Sequence, residues 1–307
     1  MRLALPPGRT PSALASHLAR QGWFFRAKSL LGKALIYLLL IDGAFIFVLP
    51  ILYMAVVSLF TPEDLVDASI RWLPVHFHWR NYLEAFQRLH YLRSAGNTLF
   101  LTTIGLVGQL FCCSLAGYAL SRMDFRWRGL LFGAVLLVMV IPAQAMTIPY
   151  YVFFAKLKWI DTVLPLTVPE LLGNGLYGGL FVFVFRQVFA GIPKDLEEAA
   201  AIDGAGVFKA FRLVVMPMAK SAYATVGLFS FVWHWNEYAR PIMFLSGETR
   251  TLTLALGSLF DFSFFGPRIS LTVQGAGVIL VMAPVVLGYL FVQRYFIQGV
   301  QMTGIKG

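Results

Sequence analysis

Long apolar blocks alternate with short polar stretches along this chain, and within a block the apolar residues occupy every helical face. A helix crossing the hydrocarbon core of a bilayer needs roughly 20 mostly apolar residues. Six segments meet that requirement: 34–60, 94–121, 129–155, 162–185, 221–235 with an extension past Glu237 to about 244, and 269–293. Asp42 is the single charge of the first and Glu170 of the fourth. Pro50, Pro142, Pro165, Pro169 and Pro284 fall inside these blocks. Membrane helices tolerate them when neighbours satisfy the freed carbonyls. The pattern predicts an all-α polytopic membrane protein with six transmembrane helices.

Two polar stretches are long enough to carry structure. Segment 61–93, with Trp72 and Trp79, reads as an external loop with a short interfacial helix at 79–89. Segment 191–206 is richer in helix formers than a disordered linker would be. Pro193 suits a first turn, and Asp195, Glu197 and Glu198 suit the positive end of a helix. Ala199 to Ala201 form a surface that a partner can approach closely, and Asp203-Gly204 is a break. Asp203 is expected to cap the helix that follows or to pair with a partner. A second amphipathic helix is expected over 207–216, ended by Pro217. This helix–turn–helix either rests on lipid or docks a partner, and composition alone allows both.

Composition agrees with the spans. Of 307 residues, 58% are hydrophobic and 13% charged, and the mean hydropathy is +0.72. A soluble domain carries about 25% charged residues. Length by itself suggests about two domains, but the spans predict one membrane domain, 34–298, between tails 1–33 and 299–307, with the polar loop at 186–220. The formal charge of +10 could suggest nucleic acid, yet its distribution follows topology. Sixteen of the 25 basic residues lie in the tails and in the loops after the second and fourth spans. Positive loops stay inside, so both termini and the 186–220 loop are expected in the cytoplasm, with no nucleic-acid partner. No apolar stretch precedes residue 34, so the first span is expected to be a retained anchor and not a cleaved signal. Cys112 and Cys113 are adjacent and suggest packing, not a disulfide framework.

Several motifs are discounted. Gly173-x-Gly175-x-x-Gly178 matches a dinucleotide fingerprint but lies in an apolar block with no preceding strand, so a broken helix is expected. Leu245 to Thr249 resembles an ATPase signature peptide, but the chain has no G-x-x-x-x-G-K-[ST]. It is therefore not expected to hydrolyse ATP. His76-x-His78 lacks accompanying ligands, so no metal site is expected. Gly129-x-x-x-Gly133 is either a close helix contact or two scattered glycines. His234, between two tryptophans, suggests a packed residue. No nucleophile elbow, zincin helix or paired carboxylates appear, and enzyme chemistry is not expected.

The spacing of the polar loop is more specific. Glu198-Ala199-Ala200, three residues, Gly204, nine residues, Val214, one residue, then Met216-Pro217 resembles the signature loop of binding-protein-dependent ABC importer permeases. That signature reads E-A-A, three residues, G, nine residues, I, one residue, L-P. The resemblance covers the chain from about residue 35 onward. Ala116-Gly-Tyr-Ala-Leu-Ser-Arg-Met-Asp-Phe125, Ile141-Pro142, Ile148-Pro149-Tyr150, Asp161-Thr162, Ile192-Pro193, Trp235-Asn236-Glu237-Tyr238 with Pro241, Thr251 to Gly257 and the C-terminal Gly299 to Gly307 are similar to the carbohydrate-type, maltose-type second permease branch. Ser221 departs where that branch often has a second proline.

The resemblance implies that the loop is a coupling helix docking on a separate ATP-binding subunit. Glu198 would offer a carboxylate, Ala199 and Ala200 close approach, Gly204 the turn and Pro217 the end of the motif, with Asp203 capping or pairing. It implies a dimer of ATP-binding subunits that uses ATP and Mg, a second and non-identical permease subunit, an extracytoplasmic solute-binding protein, and a prokaryotic plasma membrane. This chain would bind no cofactor itself. The residue types at Glu170, Trp235, Asn236, Glu237 and Tyr238 suit a sugar path, by ring stacking and hydroxyl hydrogen bonds. The plainer reading is an aromatic interface belt with a Glu237–Arg240 pair. A secondary transporter driven by an ion gradient, or an importer of a non-carbohydrate solute, are the alternatives.

Overall fold

The computed structural model describes residues 11–67, 72–74, 76–175, 177–260 and 269–303, with side chains between residues 30 and 290 of these. Arg2, Arg9 and Lys306, and the side chains of Arg20, Arg26, Lys28 and Arg294, used above for topology, lie outside the described residues. So do residues 304–307 of the C-terminal motif.

The regular elements among the described residues are all helices, with no strand. In chain order they are α1 (Pro11–Val57), α2 (Arg80–Arg88), α3 (Tyr91–Gly108), a π-turn (Gln109–Cys113), α4 (Ser114–Arg122), α5 (Arg128–Val140), α6 (Thr147–Lys156), α7 (Leu164–Leu171) and α8 (Gly178–Ala190). There follow α9 (Asp195–Ile202), α10 (Val207–Ala210), a second π-turn (Phe211–Val215), α11 (Met216–Met218), α12 (Lys220–Trp235), α13 (Ala239–Phe244), α14 (Leu252–Leu259) and α15 (Leu271–Thr303).

Three helices are single runs long and apolar enough to cross a membrane: Leu30–Val57, Tyr91–Arg122 and Leu271–Leu290. They coincide with the first, second and sixth expected spans. Two bent pairs bring the number to five: Arg128–Val140 with Ala143–Lys156, bent by 95°, and Val207–Met218 with Lys220–Trp235, bent by 81°. The first bend falls at Ile141-Pro142, where Ile141 is extended (φ −68°, ψ 121°). A residue before proline is pushed out of the helical region, and proline lacks the amide hydrogen that would continue the helix. The fourth expected span, 162–185, is instead two short helices, α7 and α8. They part at the glycine run, where Gly173 (φ +71°) and Tyr177 (φ +59°) adopt left-handed backbone. The boundary expected at 33/34 falls inside α1, and that at 298/299 inside α15.

The core lies where these pieces cross. α4 packs on α8, α3 on α12 and α7, and α15 on α1, α2, α12 and α14. Phe181, Phe185, Phe189, Phe211, Val215 and Val226 are buried together with Tyr118. Between membrane helices such side chains stabilise by close packing, because lipid tails are as apolar as they are. By contrast the apolar window of α1 is unburied within the chain, as fits a helix apolar on all sides that is surrounded by lipid or by other protein. α2 occupies the expected 79–89 segment and seats Ala85 against α15. Neither Gly129 nor Gly133 has an atom within 4 Å of a Cβ built on it, so this chain makes no close helix contact at that motif.

Candidate functional site

The polar loop folds as a helix, a tight turn and a second helical run. Lys194 O accepts hydrogen bonds from the amides of Glu197 (2.9 Å) and Glu198 (3.1 Å), opening α9. Pro193 sits just ahead of this turn and not within it. At the far end the amide of Ala205 donates to Ala200 O (2.9 Å) and that of Gly204 to Ala201 O (3.0 Å). This paired pattern closes a helix when the residue after the cap is left-handed, and Gly204 has φ +76°. Asp203 makes no cap for the following run: Gly206 precedes α10, and no side chain bonds the free amides there. That run continues beyond residue 216 through Pro217 to Met218 and breaks at Ala219.

Glu198, Ala199, Asp203, Gly204 and Pro217 are exposed and Ala200 is half-buried. The same surface exposes apolar side chains, with Ile202 87% exposed and Val207 and Phe208 both 58%. Its opposite side is fastened to the spans. Glu197 accepts a hydrogen bond from the Tyr118 hydroxyl (2.8 Å), and its Oε1 lies 3.2 Å from Arg122 Nε. Arg122 in turn donates from Nη2 to Phe189 O (2.5 Å) and to Ile192 O. Phe211 packs at a tilt against Tyr118, with ring centroids 4.9 Å apart. Thus α9 and the second run are tied to α4 and α8 by these contacts. The sequence reading used Glu197 for helix-end charge and Arg122 for topology, and did not pair them.

A second polar cluster lies inside the helical body. Glu170, at the end of α7, is wholly enclosed. Its Oε1 accepts from Arg240 Nη2 (2.8 Å) and its Oε2 from Gln109 Nε2 (2.8 Å). Arg240 also donates from Nη2 to Glu237 Oε2 (2.6 Å) and from Nε to Glu237 Oε1. His234 Nε2 lies 3.2 Å from Glu170 Oε2. Glycines make this closeness possible. A Cβ at Gly175 would overlap the Glu170 carboxylate, one at Gly105 the His234 ring, and one at Gly108 the Glu170 backbone. The π-turn adds a residue to the α3–α4 helix at Gln109, and such turns re-aim side chains.

Of the five expected path residues, the structure brings Glu170 and Glu237 together through Arg240. Trp235 is buried and donates to Val281 O (3.3 Å) on α15. Asn236 is exposed and bonds back to Val232 O (2.8 Å). Tyr238 is 43% exposed, and its ring packs over Gly257. The expected Glu237–Arg240 pair is present. Its extension to Glu170, and the roles of Gln109 and His234, were not read from the sequence. A lone glutamine in an apolar block was the available signal. Cys112 and Cys113 are free thiols, Cys112 donating to Leu171 O (2.9 Å). Among the described residues no group of three or more His, Cys, Asp or Glu is placed to hold a metal ion.

Apolar spans, broken helices and a polar loop anchored to the helix ends are the build of an integral membrane protein. Residues 110–302 match the family described as binding-protein-dependent transport system inner membrane component, and the chain belongs to that family. It is 31% identical over 245 residues to the melibiose/raffinose/stachyose import permease protein MelC of Bacillus subtilis (strain 168), spanning 78% of this chain and 86% of the relative. It is 32% identical over 212 residues to the arabinooligosaccharides transport system permease protein AraQ of the same organism, spanning 69% of this chain and 72% of the relative. The fold matches a chain from the crystal structure of a bacterial ABC transporter involved in the import of the acidic polysaccharide alginate, with TM-score 0.73 and 24% identity over 95% of this chain and 100% of that one. Family membership sets aside the ion-gradient alternative.

Proposed function

We propose that this chain is a permease subunit of an ATP-driven importer that moves a sugar or oligosaccharide across the inner membrane. The observation that carries the proposal is the loop from Asp195 to Met218: one side presents Glu198 to Gly204, and the other is tied by Glu197 to Arg122 and Tyr118. A surface grip that is rigidly linked to two spans is what force transfer from a separate motor requires. The resemblance of the Glu198-to-Pro217 spacing to the importer signature supports the same reading. Relatives named for melibiose, raffinose, stachyose and arabinooligosaccharides support a carbohydrate cargo.

On this reading a dimer of ATP-binding subunits receives Glu198, Ala199, Ala200, Asp203 and Gly204 and uses ATP and Mg. A second, non-identical permease completes the pathway, and an extracytoplasmic solute-binding protein delivers the cargo. Six spans cross the membrane, with α7 and α8 together forming the fourth. Both termini and the loop are cytoplasmic. Residues 1–33 and 299–307 form the tails of a membrane domain over 34–298. Asn236 and Tyr238, the exposed members of the aromatic and polar group, face the cargo, while Glu170, Glu237 and Trp235 shape the wall behind them.

The test is to purify the tagged chain from its native host, identify what accompanies it, and measure uptake of labelled oligosaccharides into vesicles carrying the complex. ATP-dependent uptake with a co-purified ATPase is expected. Recovery of the chain alone, with uptake indifferent to ATP, overturns the reading. ATP-dependent uptake of a non-carbohydrate solute only would retain the importer and replace its cargo.

A further inference from the structure

Asp42 is the one Asp, Glu, Lys or Arg between Lys33 and Glu63. α1 is helical around it, and a helix advances about 1.5 Å per residue. Asp42 therefore lies about 14 Å beyond Lys33 and about 22 Å short of Val57. In a hydrocarbon core about 30 Å thick that is close to mid-depth. A carboxylate one methylene from the backbone reaches water at neither face, and a charged group left among lipid tails is costly.

Nothing described in this chain compensates it. Asp42 is exposed, and its side chain makes no hydrogen bond or ion pair among the described residues. Lys33 is about two and a half turns away and projects from the opposite face of the helix. α1 is largely exposed as far as Tyr53 and becomes buried from Met54 onward, where it packs on α15 at Gly275. That contact begins about 18 Å along the axis from Asp42. Ile41, Phe45 and Ile46, beside Asp42 on the helix, are exposed as well. Lipid tails would offer the carboxylate neither a donor nor a charge.

We infer that Asp42 pairs inside the bilayer with a lysine or arginine on a transmembrane segment of the second permease subunit, an identity that rests on the importer reading above. A second copy of this chain offers no such cation at that depth. Its segments 94–121, 129–155, 221–235 and 269–293 hold no lysine or arginine, and its own α1 brings another carboxylate. Arg240 is engaged by Glu170 and Glu237. Arg186 lies near the loop end of α8, over the Phe132 ring. The partner is therefore a different chain. A single charge pair in an apolar seam fixes the depth and rotation of α1 against that chain, because a slip of one residue turns the carboxylate away by about 100°.

The test uses the complex in membranes of the native host. A photoreactive phenylalanine analogue replaces Phe45 or Ile46, and mass spectrometry sequences the peptides joined to the tagged chain. Cross-links to an apolar segment of a different subunit that carries a lysine or arginine are expected. Asp42→Lys should then lower recovery of that subunit by at least about tenfold, since it sets two like charges together. Replacing the partner's cation by Asp in the same complex should restore it. If Asp42→Lys does not insert, Asp42→Leu, which suits lipid better than aspartate, should insert and still lose the subunit. Cross-links to lipid alone or to a second copy of this chain, or full recovery with Asp42→Leu, would overturn the inference. ATP-dependent uptake by the unsubstituted complex alongside any of those results would leave the importer reading standing, whereas uptake indifferent to ATP would overturn that reading itself.

Discussion

Arg122 Nε lies 3.2 Å from Glu197 Oε1, joining the last turn of α4 to the first turn of α9 across 75 positions of sequence. Arg122 is 5% exposed and Glu197 16%, so the pair is shielded from the water that makes surface ion pairs weak. The same guanidinium closes the end of α8 through the carbonyls of Phe189 and Ile192. The pair thus connects the exposed polar loop to α4 and α8.

Arg122→Ala should destabilise the purified chain by about 1–3 kcal/mol, because it leaves a largely buried carboxylate without its charged partner. The effect should be smaller in a chain that also carries Glu197→Ala, and a thermal-melt double-mutant cycle reads the difference. Additive losses would show that the two side chains act independently.

Glu198→Lys is expected to separate function from folding. Glu198 is exposed and its side chain makes no described hydrogen bond, and surface changes of this kind alter stability by within about 0.5 kcal/mol. ATP-driven uptake should nevertheless collapse while the melting temperature holds. Full uptake by this variant would remove Glu198 from the coupling surface.

Gly204→Ala should cost about 1–2 kcal/mol in the loop alone, the penalty of a left-handed backbone for a residue with a Cβ. Space is not the obstacle, since nothing lies within 4 Å of a Cβ built there. Gly204→Asn should therefore retain more activity than Gly204→Ala, because asparagine tolerates φ near +76° better. Equal uptake by the two would count against a conformational role.

Gly175→Ala should be severe where Gly129→Ala and Gly133→Ala are mild. A methyl at 175 overlaps the Glu170 carboxylate, whereas the other two sites are open. In α5 alanine should even favour the helix, by up to about 1 kcal/mol. Melting temperatures of the three variants in detergent test the ordering.

Much of the architecture was legible because it follows from local composition. The uninterrupted apolar runs at 34–60, 94–121 and 269–293 correspond to Leu30–Val57, Tyr91–Arg122 and Leu271–Leu290. The loop motif was legible because its turn depends on one residue type, glycine, at one position. The bend at Ile141-Pro142 was less so: a proline in a membrane helix can be absorbed or can break it, and neighbouring segments determine which. The 162–185 block read as one span because hydropathy is blind to backbone direction, and the left-handed turns at Gly173 and Tyr177 leave it just as apolar.

The sequence by itself determined that this chain is helical, lies in a membrane and carries a polar loop of importer spacing. Burial in lipid and the closing of a helix on glycine are local consequences of residue type. Only the tertiary structure decided what Glu170 meets. Its partners Gln109, His234 and Arg240 come from the π-turn, α12 and α13. Charge pairing depends on separation in space and on the exclusion of water, and neither is written in the order of residues along the chain. The same holds for Glu197, an ordinary helix-end acid in the sequence, which fastens the polar loop to α4 once Arg122 reaches it.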